Sequence, residues 1–354
     1  MIFKTLIIFA SFVFITACTQ VKEDKNSETQ QTTESSIKLY SYAPSTVSSQ
    51  AKAIIETFTD ALTKPAMPEP DSIEQWKMIQ QGMENATKDQ NQALIDELDI
   101  HVSAIDLGGT RVLDIKPRGW KDNGNVLVYT HGGAYVLFSA LSTIGISGIV
   151  AQTTGLRVIS IDYTLAPHAN WSQISDEIVA VFKELIKQGY TMDDIGLFGD
   201  SAGGGLASTT VLRLRNDGIG MPAAVVLYSP MADLSCPGES YQTLKASEPM
   251  YDYELHMKTS FAAYADSADQ KNPYISSVYG DFTKGYSPTL IQGGTKELIL
   301  SSFVRLFQAM DMAGVDVSLD IYEGMPHVFQ RYPIPEAEVA LNKANNFFKE
   351  HLGK

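Results

Sequence analysis

A serine flanked by glycines, Gly199-Asp200-Ser201-Ala202-Gly203, limits what this chain can fold into more than any other stretch. An apolar run, Ile195 to Phe198, precedes it, and a helix-forming run, Leu206 to Leu214, follows it. A strand that becomes a helix within so few residues needs small residues two before and two after the apex, because the two elements pass close together. The apex residue is then held in a strained backbone conformation, and its side chain is pushed clear of the strand end. The spacing therefore predicts a strand, a sharp turn and a helix, with the Ser201 hydroxyl where a base can reach it. The helix begins at the serine, so its free N–H groups and its dipole face any anion that forms there.

A second glycine loop lies about seventy residues upstream. His131-Gly132-Gly133-Ala134-Tyr135 follows Asn125 to Thr130, which reads as a buried strand. Such a loop can turn its backbone N–H groups toward a neighbouring strand end. Acyl transfer requires donors of that kind, because its tetrahedral intermediate carries negative charge on the former carbonyl oxygen. The assignment is Gly132 N–H and Gly133 N–H, with Ala202 N–H as the third donor. Taken alone, the glycines are equally compatible with a tight turn that has no chemistry. The convergence of loop and serine turn favours the chemical reading.

These segments resemble the hormone-sensitive-lipase-like esterases of the α/β-hydrolase superfamily. Asp162-Tyr163-Thr164-Leu165-Ala166-Pro167, Ser229-Pro230-Met231-Ala232-Asp233-Leu234 and Gly324-Met325-Pro326-His327-Val328-Phe329 are similar to further motifs of that family. The resemblance runs from about residue 99 to the C-terminus, and less clearly back to residue 40. It implies an α/β-hydrolase fold, a serine esterase in a bacterial lipoprotein form, and a helical cap over the catalytic sheet. It also implies short to medium acyl esters as substrates, and neither metal nor organic cofactor.

A serine hydroxyl is a poor nucleophile near neutral pH until an imidazole takes its proton. His327 follows an apolar strand, Val317 to Tyr322, in a short loop with Gly324 and Pro326, which places it at a strand end. The other histidines fit less well: His101 lies on an early edge strand, His256 in a helical stretch, His351 in the terminal helix and His168 on the wrong crossover. His131 heads the glycine loop and shapes it. The acid that orients the base is expected after the strand Pro288 to Gly293, where the chain offers Glu297 and no aspartate within ten residues. Glutamate can accept the imidazole N–H, although its extra methylene changes the reach. An exposed glutamate at a helix start is the alternative. The order Ser201, Glu297, His327 matches the superfamily's nucleophile, acid and base. Asp200 is read as structural.

The first residues point to export. Leu6 to Ala17 is an apolar run too short to span a bilayer as a helix, and it suits the core of a secretory signal. Ile15-Thr16-Ala17-Cys18 resembles a bacterial lipobox, in which the cysteine thiol is acylated; a plain signal peptide with an incidental cysteine is the alternative. Residues 1–17 are expected to be the signal, and residues 18–36, almost without apolar side chains, a lipidated tether that cannot bury enough surface to fold. The expected location is the bacterial cell envelope, at the outer membrane or periplasmic face, with the membrane reached through the lipid. Cys236 is the one cysteine besides Cys18, so no disulfide can form within the mature chain. A net charge of −14 argues against nucleic acid as a partner surface.

Residues 37–98 read as helical. Ile54, Phe58, Ala61 and Leu62 fall on one helical face, Lys64 to Pro70 breaks the chain, and a second helix runs from Asp71 to about Asp96. This pair is expected to cap the mouth of the sheet. The Tyr- and Met-rich segment 236–266 either contributes to the cap or belongs to the core. Residues 99–354 carry the catalytic domain, with strands expected at 99–107, 110–116, 125–130, 157–161, 195–199, 223–228, 288–293 and 317–322. Helices are expected between them, including 174–187 and the stretch around Phe303 to Met310 that Gly314 closes. The pattern predicts a mostly parallel eight-stranded sheet with helices on both faces and an antiparallel start. No internal repeat, phosphate-binding loop, metal-ligand cluster or dinucleotide fingerprint is present in the sequence. The expected activity is hydrolysis of a small-molecule ester. A lactonase or amidase using the same triad, and a non-catalytic binding module of the same fold, are the alternatives.

Overall fold

Among the described residues, eight strands form one sheet in the order β1-β2-β4-β3-β5-β6-β7-β8. They span β1 Ile100–Leu107, β2 Thr110–Pro117, β3 Val126–Thr130, β4 Arg157–Ile161, β5 Ile195–Asp200, β6 Ala224–Tyr228, β7 Thr289–Gly294 and β8 Val317–Tyr322. Each expected strand is present, and no bound has moved by more than about a residue. Only β2 runs against its neighbours: it pairs antiparallel with β1 and β4, and the remaining pairs are parallel. The computed structural model describes residues 38–236 and 238–353. The signal, the tether and Cys18 lie outside the described residues.

Every residue of β3, β5 and β6 is buried, as expected for parallel strands covered on both faces. Alternate side chains divide between two cores. Val126, Val128, Leu197, Val225 and Leu227 pack with α4 (Trp171–Lys187), α5 (Ala202–Asn216) and α8 (Leu300–Met312), the last preceded in the chain by the short α6 (Ser240–Thr243) and α7 (Lys258–Tyr264). Leu127, Tyr129, Phe198, Val226 and Tyr228 pack with α3 (Ile144–Thr154) and α9 (Pro335–His351). The helix α4 starts earlier than its apolar stripe because Asn170 caps it. The Asn170 side chain accepts from Ser172 N–H and Gln173 N–H, and the Gln173 side chain accepts the Asn170 N–H in return.

The N-terminal helices differ from the expectation in one respect. The first, α1, covers only Ser49–Ile55 and ends at Glu56. Phe58 lies beyond it, and Ala61 and Leu62 belong to a separate 3-10 turn, Ala61–Thr63, capped by Asp60. Asp60 takes the Leu62 N–H at 2.9 Å, so a local carboxylate cap outcompetes continuation of the helix, and Leu62 is left exposed. Ala51 and Ile55 instead pack on Met325, Phe329 and Tyr332, beside His327.

The second helix, α2, is Ile73–Glu97. Trp76 is fully buried and donates its Nε1–H to Glu69 O at 2.9 Å. One turn on, the Gln80 amide donates to Val136 O at 2.9 Å and Ala166 O at 3.2 Å, and Glu84 accepts from Ser139 Oγ. The start of α2 thus lies against the loops that follow β3 and β4. The preceding stretch is tied to the 249–255 segment: Met67 N–H donates to Leu255 O at 2.8 Å, and Lys64 Nζ donates to the carbonyls of Pro249 and Met250, each at 2.9 Å. No helix among the described residues is long and apolar enough to cross a membrane.

Candidate active site

Strand order reverses around β3, with β4 on one side of it and β5 on the other, so a crevice opens at the C-terminal ends of β3 and β5. Ser201 stands at the end of β5 with φ 54° and ψ −123°, a conformation non-glycine residues rarely adopt. Both flanking glycines are required by close approach. A Cβ on Gly199 would fall 2.7 Å from Thr130 Oγ1, and one on Gly203 would overlap Thr130 O and lie 2.5 Å from the His131 carbonyl carbon. The strained turn is held by its neighbours: Ser201 N–H donates to Tyr228 O, and Ser201 O accepts from Gly205 N–H and Met231 N–H.

The Ser201 Oγ lies 2.9 Å from His327 Nε2. The opposite nitrogen, Nδ1, lies 2.7 Å from Glu297 Oε2. With the imidazole proton on Nδ1, that N–H donates to the carboxylate and the Nε2 lone pair accepts the serine hydroxyl. Glu297 is fully buried, and its other oxygen, Oε1, accepts from Ser229 Oγ at 2.7 Å and from Gly294 N–H at 2.6 Å. Ser229 Oγ in turn accepts from Val328 N–H at 3.1 Å, so one hydroxyl joins the acid to the histidine loop. The loops after β7 and β8 are stitched together by Lys296 N–H to Met325 O and Gly324 N–H to Thr295 Oγ1. This stitching holds the loop that carries Glu297 against the loop that carries His327.

Burial pulls the His327 pKa down, but the Glu297 hydrogen bond and charge, with the charges of Glu248 and Asp200, more than offset it, so the imidazole titrates above its ordinary value. Glu248 is a second buried carboxylate near the imidazole. Burial pushes its carboxyl up to about 7, against the pull of His327 and of the Met250 and Leu298 N–H donors. The ring of Tyr251 stands edge-on to His327, with centroids 5.0 Å apart.

The glycine loop corrects one assignment. Gly132 N–H, expected to face an oxyanion, donates to Asp200 Oδ1 at 3.0 Å. The same Asp200 oxygen accepts the Tyr129 hydroxyl, so the residue read as structural anchors the loop. A charge-assisted bond to a buried carboxylate removes Gly132 from the set of free donors. Gly133, Ala134 and Tyr135 follow with φ of 116°, 53° and 69°. Among the described residues, the N–H groups of Gly133, Ala134 and Ala202 have no protein acceptor. His131 is buried and stacks on Tyr163, whose hydroxyl donates to His131 O at 2.8 Å.

The remaining histidines stand apart from the serine as expected. His101 is exposed on β1, and His168 Nε2 pairs with Gln80 Oε1. His256 Nδ1 accepts from Asp252 N–H in a short π-helical turn, Tyr253–Met257. His351 ends α9. Sequence reasoning missed Ser229, Glu248 and Tyr251. Ser229 heads one of the family-like motifs, which signals its place but not its task within the site; the other two carry no local signature. Among the described residues, no group of three or more His, Cys, Asp or Glu side chains is arranged to hold a metal ion.

Comparison with known proteins places the fold in a family. A family model described as alpha/beta hydrolase fold matches residues 127–331. An acetyl-hydrolase of Streptomyces hygroscopicus is 34% identical over 236 residues, covering 66% of this chain and 78% of that protein. A solved esterase structure superposes with a TM-score of 0.81 at 28% identity, covering 88% of this chain and 96% of the other. The crystal structure of an esterase from the bacterial hormone-sensitive lipase family superposes with a TM-score of 0.68 at 32% identity, covering 75% and 92%.

Proposed function

The chain belongs to the hormone-sensitive-lipase-like esterases of the α/β-hydrolase family and is a carboxylic ester hydrolase, and we propose that it works through an acyl-enzyme formed on Ser201. The observation that carries this reading is the unbroken relay from Ser201 Oγ through His327 to Glu297, with contacts of 2.9 and 2.7 Å. His327 Nε2 takes the serine proton as Oγ attacks the ester carbonyl. Glu297 holds the imidazole in the required tautomer and stabilises the imidazolium. The developing oxyanion is received by the N–H groups of Gly133, Ala134 and Ala202, the last at the start of α5, whose dipole favours negative charge. His327 then gives its proton to the leaving alcohol. Water attacks the acyl-enzyme by the same route in reverse and releases the acid.

The bonds that tie residues 64–84 to the 249–255 segment and to the loops after β3 and β4 support a cap built from both segments. Such a cover shapes the pocket and keeps water from the reacting centre. The proposed substrates are short to medium acyl esters, in keeping with a relative named as an acetyl-hydrolase. An aryl ester series of increasing chain length tests this. Activity is expected to be greatest at the short end, and activity that climbs toward long chains at an oil interface would contradict it. Lipid attachment at Cys18 is a separate proposal resting on the sequence alone. A Cys18→Ser protein that still partitions with membranes in the same way as the unaltered one would remove it.

A further inference from the structure

We propose, on the serine-esterase reading above, that Glu248 is a positioning residue for the reaction: its carboxylate ties the segment carrying Tyr251 to the loop carrying Glu297, so that both hold the His327 imidazole. Glu248 is 1% exposed. Its Oε1 accepts the Met250 N–H at 2.8 Å and its Oε2 accepts the Leu298 N–H at 3.2 Å. Leu298 directly follows Glu297, which holds His327 Nδ1. Met250 directly precedes Tyr251, whose ring meets the imidazole at an interplanar angle of 89°. One buried carboxylate therefore grips the neighbours of two residues that flank the imidazole. The residue type suits this position, because a carboxylate offers two acceptor oxygens, one for each backbone donor, and strengthens both bonds with its charge. A glutamine would offer one acceptor and no charge.

The groups that face Glu248 come from several elements. They are His327 and Glu297, Lys64 before α2, Lys296 on the acid loop, and the hydroxyls of Tyr251 and Tyr332. Lys64 Nζ donates to the carbonyls of Pro249 and Met250 in the same segment. Lys296 Nζ donates to the carbonyls of Tyr40 and Tyr42. When Glu248 is ionised it places a second negative charge near the imidazole and favours the imidazolium that forms as Ser201 loses its proton. Burial pushes the Glu248 carboxyl up to about 7, so this second negative charge is lost as pH falls through that value.

The test compares wild type, Glu248→Gln and Glu248→Asp on a soluble aryl acetate, measuring kcat, KM and the pH profile, with organophosphate labelling of Ser201 as a separate readout. Glu248→Gln is expected to lower kcat by up to about a hundredfold, the scale of a displacement near 1 Å. It should leave KM little changed and move the acid limb of kcat/KM to lower pH. Glu248→Asp, which keeps the charge, should hold the limb near its wild-type position. Wild-type kcat in the glutamine variant overturns the proposal, and so does a fall in kcat with the acid limb unmoved, which is what a merely structural role would give. Absence of labelling at Ser201 in the wild type is a different failure: it removes the serine-esterase reading and this proposal with it. If the variants do not fold, the His327 Nδ1–H proton resonance of the wild-type enzyme decides. Two titration steps, one near pH 7, are expected, and a single step overturns the proposal.

Discussion

The Ser201 hydroxyl and His327 Nε2, 126 positions apart in the chain, lie 2.9 Å apart at the ends of β5 and β8. The base must be neutral to accept the serine proton, and its pKa is held above the ordinary imidazole value because the Glu297 bond and charge outweigh desolvation. The sign follows directly. As pH falls through that raised pKa the imidazole gains a proton and loses its lone pair, so kcat/KM should fall on the acid side, with its midpoint above about 6.5. A pH profile on an ester whose leaving group does not titrate in this range measures the midpoint. A value below the free-imidazole range would contradict the role given to Glu297.

Glu297→Gln keeps the shape of the acid and removes its charge. The glutamine can present an N–H where the imidazole needs an acceptor, which favours the wrong tautomer. A loss of kcat of about ten-thousandfold is expected, the size seen when a triad carboxylate becomes an amide. Because Glu297 Oε1 also receives Ser229 Oγ and Gly294 N–H, circular dichroism on the same sample separates loss of rate from loss of fold. A variant with near wild-type turnover would transfer the acid role elsewhere.

Gly133→Ala tests the glycine loop. Gly133 has φ 116°, and a Cβ there would overlap Leu137 O and lie 2.8 Å from the Phe138 ring. The loop must shift to admit it, which displaces the Gly133 and Ala134 N–H groups from the oxyanion. The expected loss is about a hundred- to a thousandfold in kcat, the cost of one such donor, with a small change in KM. A variant that keeps its kcat would show that the donors lie elsewhere.

The centre of the sheet was legible because its strands are apolar runs, and because the parallel strands β3, β5 and β6 bury every side chain. The runs at Val126–Thr130 and Ala224–Tyr228 needed no tertiary information. Ser201, His327 and Glu297 were legible because each sits at a strand end beside small residues that permit the turn. The register of the glycine loop was not legible: nothing in His131-Gly132-Gly133-Ala134 says that the first glycine's N–H is taken by Asp200, which lies 68 positions on. The early end of α1 was hidden by side chains with helical spacing, Ile54, Phe58 and Leu62, although the Asp60 cap dictates a new turn. Glu248 was invisible for a related reason, since its second partner lies 50 residues away and its segment has no periodicity.

That Ser201 carries the acyl group is the claim on which the mechanism rests, and covalent labelling tests it most directly. The protein is treated with a fluorophosphonate, and intact mass and peptide mapping are recorded for wild type and Ser201→Ala. The predicted result is one adduct, on Ser201, with loss of esterase activity in step with labelling, no adduct in the variant, and turnover in the variant lower by roughly a millionfold. An adduct that persists in Ser201→Ala, or a variant that still turns over ester at the wild-type rate, would contradict it.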